Sequence, residues 1–238
     1  MSPIFRSLFA AFALLAIMVA WASAASYEDG AAAYERGDYE TALRDWRPLA
    51  DKGVAGAQFG LGVIYATGNG VAPDYEAAAN WFRKAAQKNY PAAEFELGRL
   101  YVNGHGVGKD FATALIWFRK AASQGYADGQ FALGVMYENG QGVVRDYATA
   151  ASWYLNAANR GNATAQYALG ILSYKGQGVA KDLVAAFMWF DLAVARGDKL
   201  QPPVSTQSAI EYRDLVAAQM SKKQLAEAEK RAREWKPQ

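Results

Sequence analysis

Residues 57–89 read AQFGLGVIYATGNGVAPDYEAAANWFRKAAQKN, and the fold turns on the fact that this stretch is written four times. Trp81 returns as Trp117, Trp153 and Trp189, each 36 residues on. Leu61 returns as Leu97, Leu133 and Leu169, each followed by a glycine: Gly62, Gly98, Gly134 and Gly170. Tyr65, Tyr101 and Tyr137 align, with Ser173 in the last copy. A G-x-G-V turn recurs at Gly68/Gly70, Gly104/Gly106, Gly140/Gly142 and Gly176/Gly178, and Asp74, Asp110, Asp146 and Asp182 follow it. A fixed period of this length marks a repeat architecture, in which each unit buries its apolar face against its neighbours.

Within one copy the pattern reads as two helices. Residues 57–65 carry A-x-x-x-L-G-x-x-Y, with apolar residues at helical spacing. A glycine inside that helix costs about 1 kcal/mol against alanine. Gly62 and its equivalents are therefore expected where a neighbour comes too close for any side chain. Gly68 ends the first helix, because glycine takes positive φ freely. The second helix opens at Asp74, whose carboxylate suits an N-terminal cap, and turns Ala78, Trp81 and Phe82 inward. Asn89, Gly125, Gly161 and Gly197 are expected to close it in the left-handed conformation. The fold class is all-α, an α-solenoid of antiparallel helix pairs with 36-residue repeats.

The flanks differ. Asp38, Tyr39, Ala42, Ala50 and Gly53 lie one period before Asp74, Tyr75, Ala78, Ala86 and Asn89, with a tryptophan shifted by one, at Trp46. Residues 25–56 thus read as a degenerate half-repeat capping the N-terminus, residues 57–200 as four repeats, and residues 201–238 as a helical C-terminal cap. Pro202 and Pro203 interrupt the chain, helix is expected from about Thr206, and Ser221 with Gln224 forms a capping-box pattern for a last helix.

Residues 1–24 have the layout of a secretory signal peptide: Arg6, an apolar run over residues 7–22, then Ala22-Ser23-Ala24. Cleavage after Ala24 would deliver the chain to the periplasm or outside the cell, with no membrane span left. An uncleaved anchor is the alternative, although the run is short for a span of about 20 residues.

The composition narrows the function. The chain of 238 residues is 52% hydrophobic, enough for a sizeable core. Its 25 Lys and Arg face 23 Asp and Glu, without a concentrated basic face, so nucleic acid is not an expected partner. The chain has no cysteine, which excludes disulfides, thiol nucleophiles and cysteine-based zinc sites.

The segments L-G-V-I-Y-A-T-G-N-G-V, D-Y and W-F-R-K-A-A, with their copies, resemble Sel-one-like repeats, relatives of the tetratricopeptide repeat. The resemblance covers residues 27–197. It implies a right-handed superhelix and an adaptor role in assembling protein complexes, commonly after export in bacteria. One branch of the family is cysteine-rich and linked with penicillin binding and β-lactam hydrolysis. This chain has none of those cysteines, so that activity is not carried over.

No catalytic, cofactor or metal constellation emerges. His105 is the single histidine and occupies a turn position held elsewhere by Asn69, Gln141 and Gln177, which reads as a solvated residue. The run from Gly104 to Lys109 lacks the spacing of a phosphate loop. The motifs S-x-x-K and G-x-S-x-G are absent. In tetratricopeptide relatives the first helix of each pair lines the concave face. On this face Phe59, Phe95, Phe131 and Tyr167 form one row, Val63, Arg99, Val135 and Ile171 a second, and Thr67, Asn103, Asn139 and Lys175 a third, with Glu138 beside it. The aromatic row suits packing as well as binding. The partner-binding candidates are Arg99, Asn103, Glu138, Asn139 and Lys175, with Phe95 and Phe131. The expected function is a non-catalytic scaffold for protein partners. The alternatives are a cell-envelope enzyme, acting on peptidoglycan or β-lactams, and a peptide or small-ligand binding module.

Overall fold

The computed structural model describes residues 27–237. The apolar run and the cleavage pattern at Ala24 lie outside the described residues. Among the described residues there are helices and turns and no strand. Helix α1 covers residues 27–35. It is followed by α2 (Tyr39–Asp51), α3 (Ala55–Thr67), α4 (Tyr75–Ala86) and α5 (Pro91–Asn103). Then come α6 (Phe111–Ser123), α7 (Ala127–Asn139), α8 (Tyr147–Asn159), α9 (Ala163–Lys175) and α10 (Leu183–Val194). A 3₁₀ turn at Gly197–Lys199 leads to α11 (Thr206–Ala217) and α12 (Lys222–Glu234). The chain divides into two compact units, one ending at Lys109 and one beginning at Asp110. In each, helix packs on following helix, as in an α-solenoid; in the second, α11 and α12 both pack on α10.

The recurring aspartates start α2, α4, α6, α8 and α10. Asp38, Asp74, Asp110, Asp146 and Asp182 each precede a helix and accept hydrogen bonds from backbone N–H groups of its first turn, at 2.8–3.2 Å for the shortest bond at each. These groups have no partner inside the helix, and a carboxylate also suits the positive end of the helix dipole. Helices α3, α5, α7 and α9 end on glycine: Gly68, Gly104, Gly140 and Gly176 take φ of 75°, 75°, 68° and 69°, the left-handed region closed to most side chains. Asn89, Gly125 and Gly161 close their helices at φ of 57°, 79° and 82°. Gly197 departs from the expectation: it is not left-handed and begins the 3₁₀ turn. Glycine is needed there because an added Cβ would lie 2.3 Å from Oγ1 of Thr206.

The glycine inside α3, α7 and α9 faces a ring. A Cβ on Gly62 would lie 2.5 Å from the ring of Phe82, one on Gly134 2.3 Å from Tyr154, and one on Gly170 2.6 Å from Phe190. The ring of the following helix therefore lies flat on the backbone of the preceding one, and its burial is nearly complete for Phe82, Tyr154 and Phe190. The same register explains Trp46. It stands 36 residues before Phe82, so it is not a displaced copy of Trp81; it occupies the ring slot. The larger indole is admitted by two glycines, Gly30 and Gly60, where a Cβ would come within 2.7 and 2.6 Å of it. Its Nε1 donates to the Tyr27 carbonyl at 3.1 Å.

The other recurring aromatics serve the joints between helices. Arg47 donates to the Tyr65 hydroxyl at 2.7 Å, and Arg119, two periods on, to the Tyr137 hydroxyl at 3.0 Å. Trp81 and Trp117 are each covered by the lysine three residues ahead, with Nζ of Lys84 and Lys120 at 3.9 and 4.3 Å from the ring centroids. A cation over a ring in this way adds about 0.5–1 kcal/mol at an exposed site. At the C-terminal end, Val216 of α11 and Ala228 of α12 join Phe187 and Phe190 of α10 in one apolar cluster. Both helices carry capping boxes, Ser205 with Ser208 and Ser221 with Gln224, the second as its sequence predicts.

Candidate interaction surface

The odd-numbered helices carry the candidate residues, and the two units treat them differently. In the N-terminal unit, α4 packs on both α3 and α5, which face each other across it. Between them opens a cavity of about 260 Å³. Val63 and Arg99 face it from one row of the sequence alignment, Thr67 and Asn103 from the next, and Tyr75, Phe82, Glu96 and His105 complete its walls with Ala66 and Leu100. Two of the sequence candidates, Arg99 and Asn103, therefore share one concave site.

The Arg99 guanidinium lies 3.1 Å from both carboxylate oxygens of Glu96 and 5.9 Å from the centroid of the Phe95 ring. Its side chain remains 54% exposed. An ion pair at this exposure contributes at most about 1 kcal/mol to folding, so the arginine is available to exchange partners. Asn103 is the exposed last residue of α5, just before the Gly104 cap. His105 is exposed, as its turn position suggests, but it also stacks on Tyr75, with ring centroids 4.6 Å apart, and forms one edge of the cavity. The hydroxyl of Thr67 is turned back onto its own helix, donating to the Val63 carbonyl at 2.9 Å.

In the C-terminal unit the equivalent surface is partly claimed by the core. Glu138 accepts a hydrogen bond of 2.5 Å from the hydroxyl of Tyr154. Tyr154 fills the slot that holds phenylalanine in the other three copies, and Glu138 replaces Ala66, Val102 and Tyr174 of the other copies. Burial, then the Glu138 charge and their hydrogen bond, push ionisation of Tyr154 far above the usual tyrosine range. Phe131 is half-buried and lies against Tyr154, with centroids 5.5 Å apart. Two others of its row behave alike: Phe59 packs on Phe82 at 5.7 Å and Tyr167 on Phe190 at 5.6 Å. The aromatic row braces the ring slot. Asn139 and Lys175 are the exposed last residues of α7 and α9.

Sequence reasoning missed three polar elements. The Glu138–Tyr154 pair is one; its signal was that the only copy with tyrosine in the slot is the only copy with an acid at the facing position. The second is the buried row Gln58, Glu94, Gln130 and Gln166. The three glutamines donate Nε2 to carbonyls at the end of the preceding helix, Ala50, Ala122 and Ala158, at 3.0, 3.4 and 3.3 Å. The third links the second and third C-terminal repeat turns: Asn162 donates to Asp128 at 2.7 Å, and Gln201 reaches the same oxygen at 3.4 Å. Among the described residues no group of three His, Asp or Glu side chains stands close enough to hold a metal ion. Among them, too, no helix is long and apolar enough to cross a membrane.

Helix pairs stacked at a constant period, with a ring from one helix seated on a glycine of another, define a solenoid repeat protein. Four consecutive stretches, residues 55–90, 91–126, 127–162 and 163–198, match the Sel1 repeat. They cover more than half of the chain, and the protein belongs to the Sel1 repeat family. A Sel1 repeat protein from Oxalobacter formigenes is similar over 82% of this chain and 84% of its own, at 28% identity and a TM-score of 0.70. A protective antigen present in uropathogenic Escherichia coli strains, displaying an SLR fold, is similar over 91% of this chain at 29% identity and a TM-score of 0.69. This chain spans 50% of the length of that antigen. A putative Sel1 repeat protein from Klebsiella pneumoniae shares the fold at 22% identity, with a TM-score of 0.53 over 82% of this chain and 93% of its own. No curated protein matches the chain.

Proposed function

We propose that this protein is an exported, non-catalytic scaffold that holds a protein partner on the inner faces of its odd-numbered helices. Sel1 repeats in general serve as protein-interaction scaffolds, which supports the coarse reading. The finer reading rests on one observation: Arg99, which replaces the valine or isoleucine of the other copies, converges with Asn103 on a concave cavity of about 260 Å³. A repeat protein keeps its fold with the constant positions and is free to vary the ones that meet a partner. Asn139 and Lys175, exposed at the ends of α7 and α9, extend the candidate set. Export rests on residues 1–24, and cleavage after Ala24 would leave a mature chain beginning at Ala25.

The test is affinity purification of the tagged protein from the envelope of its own cell. A stoichiometric protein is expected, with its affinity reduced about tenfold or more by joint replacement of Arg99 and Asn103 with alanine. An unaffected partner would remove the cavity from the interface, and a partnerless preparation would count against a stable scaffold. Changing Arg99 together with Glu138 is the poorer experiment, because Glu138 also supports Tyr154 and its loss disturbs the fold. The N-terminal sequence of the envelope protein tests export: Met1 would refute cleavage.

A further inference from the structure

A second pocket, of about 210 Å³, opens in the N-terminal unit between α1 and α3. Tyr27 and Tyr34 of α1, Phe59 of α3 and Tyr90 before α5 surround it, half-buried, with Trp46 at its base. Gly56 and Gly60 line it from α3. A side chain at either would run into Tyr27 or Trp46, within 2.9 and 2.6 Å, so the space depends on their being glycine. Among the described residues, one charged side chain lines the pocket, Glu35, exposed at its rim, and no Lys, Arg or His does.

This combination has a definite ligand chemistry. The faces of aromatic rings carry negative potential and attract cations, most strongly where water is excluded. A carboxylate at the rim adds to that potential, and no positive side chain among the described residues of the wall opposes it. The pocket is smaller than the roughly 300 Å³ at which cavities begin to take drug-sized ligands, so its occupant is a head group rather than an extended molecule. Tyr34 accepts from Asn69 at 3.4 Å, and the Trp46 N–H is taken by the Tyr27 carbonyl. A primary ammonium brings three N–H donors that all need acceptors, and the Glu35 carboxylate offers them at one rim only; a quaternary ammonium brings none and turns its methyl groups to the rings.

We infer that this aromatic pocket binds a small quaternary ammonium cation, with Glu35 supplying the counter-charge. It is separate from the Arg99 cavity except for Val63, which borders both, and it does not depend on the scaffold reading. The experiment is calorimetric titration of the full chain with three probes of similar bulk: tetramethylammonium, n-butylammonium and neutral neopentyl alcohol. Tetramethylammonium is expected to bind saturably and about fivefold or more tighter than n-butylammonium, with no binding of the alcohol. Glu35→Lys, at an exposed position where the melting temperature should not move, is expected to abolish the binding, and Phe59→Ala to weaken it roughly tenfold. Equal binding of the neutral alcohol would overturn the cation assignment. A preference for n-butylammonium would overturn the quaternary assignment in favour of a lysine side chain. Binding unchanged in Glu35→Lys, or no saturable binding of any probe, would overturn the site.

Discussion

Arg99 and Glu138 stand on the equivalent faces of their own repeat helices, both charged and both at positions where the copies differ, yet the structure gives them opposite duties. Arg99, itself exposed, leans on a half-buried Glu96 and borders an open cavity. Glu138 is drawn inward to satisfy Tyr154, whose ring is 1% exposed. The difference arises one helix away. The slot holds Phe82 behind Arg99's neighbour helix and asks for nothing polar; in the third copy it holds a tyrosine, and a buried hydroxyl must find a partner. Variation within a repeat thus has two sources, partner recognition and local compensation, and only the residues facing a position tell them apart.

The largest effect separates these duties directly. Glu138→Ala leaves the Tyr154 hydroxyl buried without its acceptor and should cost about 2 kcal/mol of stability. Arg99→Ala should cost under about 0.5 kcal/mol, as exposed ion pairs do. Tyr154→Phe in the Glu138→Ala background should recover more than about 1 kcal/mol of that loss, which a double-mutant cycle in urea would measure. Equal losses for Glu138→Ala and Arg99→Ala would break the comparison. The ring slot itself should behave alike in both units. Gly62→Ala and Gly134→Ala gain about 1 kcal/mol of helix propensity, but each forces a methyl to within 2.5 or 2.3 Å of a packed ring. Overpacking of this kind costs up to about 3 kcal/mol, so both variants should melt lower than the parent. A rise in either melting temperature would mean that the ring yields and the glycine is not required.

Most of this fold was legible because the period multiplies every local signal. A lone Asp before an apolar stretch is a weak indication of a cap; five at one register leave little else, and all five are caps. The internal glycines pointed to a close approach, and the structure supplies the rings. The polar pairings were less legible because each depends on who faces whom. Trp46 looked displaced from the tryptophan row while it was filling the phenylalanine slot. Arg99 and Asn103 were readable as surface residues from their register, since positions three and four apart share a helix face. Their convergence with Tyr75 and His105 was not, because it needs the turn after α5 to fold back toward α4. The aromatic pocket was obscured in the same way: Tyr27 and Tyr34 belong to the least regular copy, where no period marks them.

The buried row of amides offers a finer comparison between the units. Gln130 and Gln166 in the C-terminal unit, and Gln58 in the N-terminal one, each donate to a carbonyl eight residues earlier. Glu94 occupies the same register, 1% exposed, as a carboxyl. A glutamine at this register ties its helix to the end of the preceding one, and truncating it strips a buried carbonyl of that bond. Gln130→Ala and Gln166→Ala should therefore each lower stability by about 1 kcal/mol, as urea unfolding would measure. A variant as stable as the parent would show that these bonds do not hold neighbouring helices together.

The smallest expected effect concerns the caps and their response to acid. In Asp110 and Asp146 the hydrogen bond from the side chain of Thr113 or Thr149, followed by those from backbone N–H groups, holds the carboxyl below its ordinary pKa of 3.8. Asp38, bonded to Thr41, is held low as well. A carboxyl whose pKa is lower in the folded chain binds its proton less readily there than in the unfolded chain. Its contribution is then complete above about pH 3.8 and disappears as the pH falls through the lower folded value. Melting temperature should accordingly be flat around neutrality and decline below that point. Thr113→Val and Thr149→Val remove the leading hydrogen bond in the C-terminal unit, so each should move its aspartate back toward 3.8 and flatten the decline, while Asp38 in the N-terminal unit keeps its own. Proton titration by NMR of the three carboxyls would check this residue by residue. A shift of all three on replacing only Thr113 and Thr149 would mean that the acid response belongs to global charge rather than to the individual caps.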